Sequence, residues 1–410
     1  MIRWLQIPVA RRMAMIAMVA CCLPWNATAV MGDRPSRLEA FMQGTPREVE
    51  QLLVKSLLEI TQGRLDAALK DVDSVIREMP NFKLAYLIRG DLLQAKVRQI
   101  SGFGSVPEGK SDEIADLRQE AKVRLEHYLA PQGQPDMASD YLWQLDASQQ
   151  NAMVVDTAKS RMYLYRNEGG QPRFIADYYV TVGKNGTEKQ KEGDKKTPLG
   201  VYFTGSRLAQ EKLPDLYGSA AYPLSYPNEW DRRQGKSGHG IWMHGTPSDT
   251  YSRPPRASDG CVVLTNQDIN SLETIFKKNG IPVVIASSAV PDDSASQKQA
   301  LLNEIERWRK DWESQETDTY LTHYSRDFFT EGMNFERWAS EKRRIQSLKP
   351  KVSVALSNVS IFRYPDSSKK MVVVNFNQDY KADHFNHKMR KRQYWILDNG
   401  RWKIMYEGAA

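Results

Sequence analysis

The spacing of apolar residues changes character twice along the chain, and each change predicts a different kind of folded unit. Over residues 46–130 apolar positions recur every three or four residues: Val54, Leu57 and Leu58, then Leu65, Ala68, Leu69, Val72, Val75 and Ile76. That period predicts amphipathic helices, broken at Gly63 and restarted at Pro80-Asn81. Over residues 141–288 the texture shifts to short alternating runs. Residues 151–155 and 161–165 read as a strand pair, 174–182 as an aromatic and β-branched strand, and 281–285 as a closing strand. One helix is expected over 268–278. Turn residues crowd between these runs, at Gly169-Gly170, Asn185-Gly186 and from Pro223 to Gly240. The polar, Ser/Asp-rich stretch SSAVPDDSASQKQ then predicts a linker over 289–299. Beyond it, helices are expected at 301–314, 317–328 and 334–347. Strands follow at 352–362, 370–380, 388–397 and 401–406, the last two joined by Asp398-Asn399-Gly400. Helices followed by a meander argue an α+β unit over 300–410. The fold class expected is therefore multidomain: a helical module, a mainly β domain and an α+β domain.

The N-terminus changes the picture of where the protein works. Arg3, Arg11 and Arg12 precede an uncharged, mostly apolar stretch over 13–23, and Ala27-Thr28-Ala29 supplies a small-residue cleavage pattern. Residues 1–29 thus read as a secretory signal peptide, which predicts export to the periplasm. A rival reading takes Met18-Val19-Ala20-Cys21 as a lipoprotein signal with Cys21 lipidated, although Met suits the first position poorly. No later segment reaches membrane-spanning length, so attachment to a membrane is peripheral at most. Cleavage after Ala29 removes Cys21 and Cys22 and leaves Cys261 as a lone thiol, with no intramolecular disulfide partner, in an oxidising compartment. The net charge of +7 is modest for 410 residues. It suits an anionic matrix such as the cell wall and is too diffuse to argue nucleic acid, for which no recognition motif is present. From Lys298 onward 21 Lys/Arg face 15 Asp/Glu, so most of the excess sits in the last domain.

Two flanking resemblances concern architecture. The run Gly63-Arg64-Leu65-Asp66-Ala67-Ala68, followed by Pro80-Asn81 and Ala85-Tyr86, resembles a tetratricopeptide repeat. It offers a protein-binding surface or, since one repeat alone is clear, a packing extension. The C-terminal order of elements, with Tyr394-Trp395 and Gly400-Arg401-Trp402-Lys403-Ile404, resembles the SnoaL-like cone fold of the nuclear-transport-factor superfamily. That domain shows no catalytic constellation, and its Trp and Tyr residues read as core with a groove beside them. A protein partner is expected through one of these two domains.

The chemistry concentrates in HGIWMHGTPSDTYSRPPRASDGCVVL, residues 239–264. A short apolar strand, Ile241-Trp242-Met243, delivers His244 at its end, and Gly245 lets the backbone turn. Ser258-Asp259-Gly260 then leads into Cys261 and a second apolar strand. A glycine before a nucleophile permits close backbone approach and frees N–H groups for a developing oxyanion, here those of Gly260 and Cys261. A thiol is mostly protonated near neutral pH and needs a base; a histidine can take that proton and later hand it to a leaving amine. The product is a thioester, and no metal or other cofactor is called for. A zinc reading, with His239, His244 and Cys261 as ligands and Asp259 as base, lacks both the spacing and a His-Glu-x-x-His pattern. A non-enzymatic wall-binding scaffold is the other alternative, and it predicts that Cys261 is dispensable.

His244-Gly245-Thr246 and Ser258-Asp259-Gly260-Cys261 resemble the signature of the YkuD family of L,D-transpeptidases. Lys196-Thr197-Pro198-Leu199-Gly200-Val201-Tyr202 is similar to the family's T-P-x-G strand, and residues 178–183 to the strand and glycine before it. The resemblance implies that Cys261 attacks the diaminopimelate–D-alanine bond of a peptidoglycan tetrapeptide stem. The acyl group then passes to an amine, which is transpeptidation, or to water. Many members carry His or Arg where this chain has Asp259, and Arg where it has Val263. Asp259 beside a thiolate raises the thiol's pKa. Members with a SnoaL-like C-terminal domain include L,D-carboxypeptidases, which leaves the acceptor open. Candidate substrate contacts are His239, Gly245, Ser258, and the loop arginines Arg253 and Arg256, which can meet the stem's carboxylates. For His239 the competing reading is a loop histidine, for Ser258 a hydroxyl satisfying local backbone, and for the arginines a solvated face. Tyr222, Tyr226 and Trp230 line the cleft or pack the core.

Overall fold

Gly63, at a φ of +75° that favours glycine, closes the first helical hairpin of the computed structural model, just after the Ile60 carbonyl accepts its N–H at 3.0 Å. The structure describes residues 45–98, 103–104, 111–130, 137–288, 294–347, 351–365, 368, 370–383 and 385–410. The expected signal peptide, the Cys21 alternative and residues 289–293 of the expected linker lie outside them. The chain divides into two units, one ending at Ile114 and the other running from Ala115 to Ala410. Among the described residues no helix is long and apolar enough to cross a membrane.

The first unit holds α1 (Thr45–Thr61), α2 (Leu65–Glu78) and α3 (Lys83–Ala95). Leu53, Val54 and Leu57 of α1, Ala68, Val72 and Val75 of α2, and Ala85, Ile88 and Leu92 of α3 are its buried stripe. A fourth helix, α4 (Ser111–Leu129), belongs from residue 115 onward to the second unit. Its helical period matches that of the module before it, whereas its buried Glu120 bonds to Ser252, far along the chain.

In the second unit β2 (Asn151–Asp156), β3 (Arg161–Glu168) and β4 (Gln171–Tyr179) form antiparallel neighbours. Strand β11 (Pro282–Ala286) runs parallel to β2 and antiparallel to β6 (Gly200–Phe203), giving the order β4-β3-β2-β11-β6. A second sheet is built from β7 (Ala221–Pro223), β8 (Trp242–His244) and β10 (Val262–Val263) in the order β10-β8-β7. A two-stranded ladder joins β5 (Val182–Gly183) to β9 (Arg256–Ser258). Alternation along β2 and β11 sends Met153, Val155, Val283 and Ile285 into the core shared with Met243, Val262 and Leu264. The other face, with Val154, Tyr165 and Val284, packs on Phe362, Tyr364, Val373 and Tyr394 of the C-terminal sheet.

That C-terminal sheet runs β1-β14-β15-β16-β17-β12-β13, with β1 at Leu142–Gln144, β12 at Tyr324–Thr330 and β13 at Met333–Asn334. Its long strands are β14 (Val352–Arg363), β15 (Met371–Ala382), β16 (Phe385–Asp398) and β17 (Arg401–Ala409). Helices α8 (Ser294–Ser314), α9 (Thr317–Leu321) and α10 (Phe335–Gln346) cover its far face around Trp308, Trp312, Tyr320, Trp338 and Trp395. A pocket of about 340 Å³ opens there, lined in part by Trp312, Tyr380, Lys342 and Lys391.

Several elements differ from the sequence reading. The edge strand β1 (Leu142–Gln144) precedes β2 to β4 in sequence yet pairs with β14, Leu142 opposite Phe362. The helix expected over 317–328 stops at Leu321, and β12 (Tyr324–Thr330) pairs in parallel with β17, because Tyr324 and Phe328 bury in the sheet's core. Strand β13 (Met333–Asn334) completes the edge. Helix α8 starts at Ser294, inside the expected linker. The helix over 268–278 is two short pieces, α6 (Asn266–Ser271), capped by the Thr265 side chain, and α7 (Glu273–Phe276). A further short helix, α5 (Glu229–Arg233), opens with a capping box on Asn228 and Asp231.

Candidate active site

Strand β8 is the middle of its sheet, and His244 is its last residue. Strand β10 runs parallel to it with Val262 opposite Met243 and Val263 opposite His244. Extending that register by one residue sets Cys261 beside Trp242, and pleat alternation puts the Cys261 and His244 side chains on the same face. The turn into Cys261 demands glycine. Gly260 has a φ of +124°, and a Cβ there would lie 2.7 Å from the Lys196 carbonyl oxygen. The buried Thr197 hydroxyl donates to the Gly260 oxygen at 2.9 Å and accepts the Gly183 N–H at 2.8 Å. Ser258 Oγ accepts the Gly260 N–H at 3.1 Å and donates to the Cys261 carbonyl at 2.7 Å.

Both reactive groups are neutral at rest. Burial pushes the Cys261 thiol up to about 11; Asp259 adds to the rise, while the Trp242 N–H, Arg253 and Lys189 oppose it. Burial pushes His244 down to about 4, helped by the charge of Arg253 and opposed by the hydrogen bond to Gly245. His244 Nδ1 lies 2.6 Å from the Gly245 carbonyl oxygen. A carbonyl only accepts, so Nδ1 carries the proton and Nε2 is left as the base. The thiol itself is half-buried, with Sγ 3.4 Å from the Gly240 carbonyl oxygen. The arrangement is a protonated thiol and an unprotonated imidazole on neighbouring strands, the two group types that general-base-assisted thiol attack calls for.

Residues 150–285 match the L,D-transpeptidase catalytic domain, YkuD, and residues 300–408 match the Cds6 C-terminal NTF2-like domain. The chain carries a YkuD catalytic domain. Over 110 residues it is 30% identical to YafK of Escherichia coli K12, an L,D-transpeptidase by name. That stretch is 27% of this chain, which spans 40% of the length of YafK. Among solved structures, the helical cell shape determining protein Pgp2 of Campylobacter jejuni is 28% identical, with a TM-score of 0.57, over 67% of this chain and 96% of that one. Bd1075 of Bdellovibrio bacteriovorus is 29% identical with a TM-score of 0.57, over 66% of this chain and 98% of its own. Both likenesses cover more of the chain than either domain alone.

The YkuD domain draws some of the expected residues together and leaves others apart. Arg253 is near the site: its charge acts on His244, Cys261 and Asp259, and its guanidinium donates to the Ala257 carbonyl. Arg256 is exposed at the start of β9, where its backbone pairs with Val182. His239 is 82% exposed, 3.8 Å from Glu192, and joins no three-ligand set among the described residues. Ser258 is buried and spent on the backbone of the nucleophile turn. Its hydroxyl also accepts the Gly260 N–H, so that expected oxyanion donor is paired within the turn. Gly245 is held close against Asn266, whose Oδ1 would lie 2.1 Å from an added Cβ. Asn266 also accepts the Ser219 N–H at 2.9 Å and donates to the Thr246 oxygen at 2.8 Å, fixing the turn after the base. Tyr222 stacks on Phe276 at 4.1 Å, Tyr226 packs by Tyr202 and Trp230 by Phe329, so these three are core.

Tyr217 was not singled out by the sequence. Its ring lies 5.1 Å from that of His244 and 4.7 Å from that of Trp242. Its hydroxyl is pushed up by burial and then by Cys261 and Asp259. The segment around it offers no motif; only the Tyr217 carbonyl's bond to the Gly245 N–H, 3.1 Å, brings it to the base.

Proposed function

We propose that this chain is an exported peptidoglycan L,D-transpeptidase that opens the diaminopimelate–D-alanine bond of a tetrapeptide stem. The observation that carries the reading is the His244 tautomer, locked by Gly245 on the same ladder face as Cys261. As the donor stem binds, Nε2 takes the thiol proton while Sγ bonds to the carbonyl carbon. The Cys261 N–H is the donor assigned to the resulting oxyanion. The imidazolium then protonates the D-alanine nitrogen as the C–N bond breaks, leaving a thioester. An amine from a second stem, deprotonated by His244, releases the acyl group as a cross-link. Arg253 is the substrate-facing cation of this scheme and supports binding of a stem carboxylate.

Hydrolysis is a second reading, favoured by one observation. Asp259 stands exposed beside the nucleophile, 3.7 Å from Lys195, and puts a negative group at the mouth. With water as acceptor the enzyme is an L,D-carboxypeptidase that trims tetrapeptides to tripeptides. The likeness to Pgp2 supports a role in cell shape under either reading, with the periplasm as the place of action.

The test is incubation of the protein with purified tetrapeptide muropeptides, read by mass spectrometry, with Cys261→Ala as control. Cross-linked dimers, or exchange of the terminal D-alanine for an added D-amino acid, mean transpeptidation. Tripeptide alone means hydrolysis. Product in the Cys261→Ala sample as well would remove Cys261 as the nucleophile, and product in neither would remove the reading and favour a wall-binding scaffold.

A further inference from the structure

Between the base and the nucleophile runs a loop one of whose anchors lies outside the YkuD match. Glu120 and Arg124, on the part of α4 within the second unit, are 1% and 2% exposed and form an i,i+4 ion pair at 2.9 Å. Glu120 Oε1 also accepts the Ser252 hydroxyl at 2.7 Å. The Arg124 guanidinium sits 3.7 Å above the Tyr179 ring, and the Tyr179 hydroxyl donates to the Arg253 carbonyl at 2.9 Å. Thr181 donates to the same carbonyl at 2.8 Å. Two lines from one helix, joined by the Glu120–Arg124 pair, therefore reach Ser252–Arg253, the stretch whose guanidinium charge acts on the thiol and imidazole.

A buried ion pair is weak evidence for stability, because desolvation offsets most of its Coulombic gain. A pair made only to hold the helix down would need no third partner. Here Glu120 spends the same oxygen on a hydroxyl adjacent to the site's cation, and the neighbouring aromatic ring closes the circuit on that cation's own backbone.

We infer that Glu120, through Ser252, is a positioning residue that sets where the Arg253 guanidinium stands relative to Cys261, so that α4 is a working part of the acyl-transfer site. This rests on the Cys261–His244 site proposed above. The cation then recruits negatively charged reactants, a stem carboxylate among them, to the thiol. Asp259, Lys189 and Tyr217 also interact electrostatically with that thiol, and His244 lies beside Tyr217.

The charge at the thiol can be read without peptidoglycan, as the ratio of Cys261 alkylation rates with anionic iodoacetate and neutral iodoacetamide in the full chain. Access to the thiol and its thiolate fraction affect both reagents alike, whereas a displaced cation slows the anion further. Glu120→Gln, Ser252→Ala and Arg253→Gln are each expected to lower the ratio by about threefold or more, while Ser252→Thr keeps it. Ser252→Ala leaves the Glu120–Arg124 pair intact and serves if Glu120→Gln fails to fold. An unchanged or raised ratio in folded Ser252→Ala, or in Arg253→Gln, overturns the inference. Absence of muropeptide turnover in the wild type, with the ratio behaving as expected, would instead count against the peptidoglycan reading.

Discussion

The Cys261 thiol and the His244 imidazole are both held in their neutral forms, and their pH behaviour follows from that. The sign is fixed by two directions: the thiol raised to about 11 and the imidazole lowered to about 4. From about pH 6 to 9 the pair stays in its working form, and activity falls only as His244 begins to charge near its lowered pKa. Resting alkylation by iodoacetamide should climb steadily with pH; a rate already flat from about pH 5 upward would mean a thiolate–imidazolium pair and refute this account. Because His244 is neutral in the fold but charged in the unfolded chain below about 6.5, it also removes stability as pH drops from there toward about 4. His244→Gln should keep the fold and lower turnover by roughly 10²–10⁴-fold, measured against the wild type on the same muropeptides. Gly260→Ala should lower the melting temperature, at a cost of about 1–3 kcal/mol, since the new Cβ meets backbone rather than a movable side chain. The motif made Cys261, His244 and Gly260 legible. Tyr217 was not legible, because a ring's position over His244 depends on a loop crossing that no local pattern encodes.

At the scale of elements, the short strand β1 is the telling case. Three residues cannot announce a partner more than two hundred positions away, and their apolar pattern equally suits a first catalytic strand. The structure spends β1 on the C-terminal sheet and fastens the following turn by one hydroxyl. Ser360 is fully buried; its Oγ bonds to Asp146 Oδ2 at 2.7 Å and accepts the Asp146 N–H at 3.0 Å. Ser360→Ala would strand polar groups of a buried aspartate and should cost about 1–3 kcal/mol in thermal or denaturant unfolding. Turnover per folded molecule should be unchanged, and an unaltered midpoint would show that Ser360 is not the fastening group. Helix α9 and strand β12 teach the same lesson in reverse. Helical period was a fair reading of 317–328, yet pairing with β17 buried Tyr324 and Phe328 more completely than a longer helix could.

For the whole molecule, the catalytic sheet and the C-terminal sheet share one apolar layer, with Tyr165 and Val284 on one side and Phe362, Tyr364 and Tyr394 on the other. Glu229 on α5 adds polar ties to Tyr394 at 2.8 Å and to Arg392 at 3.2 Å. Cutting at the expected linker would expose that layer. Residues 141–288 expressed alone should aggregate or remain unfolded, while a fragment spanning 115–410 should unfold in a single calorimetric transition. Two resolved transitions, or a soluble and active fragment of 141–288, would show the sheets to be independent.

What the sequence determined by itself was chemistry that depends on local order: a strand-delivered histidine, a glycine before a cysteine, and the change of apolar period from helical to extended and back. These are short-range properties, written in consecutive residues, and so they survive without coordinates. What the tertiary structure decided was everything that needs two distant segments to meet: β1 in the far sheet, Tyr217 over the base, Ser258 closing its turn, and Glu120 against Ser252. Burial did the deciding there, because desolvation fixes which polar groups must find partners and drives both reactive groups neutral.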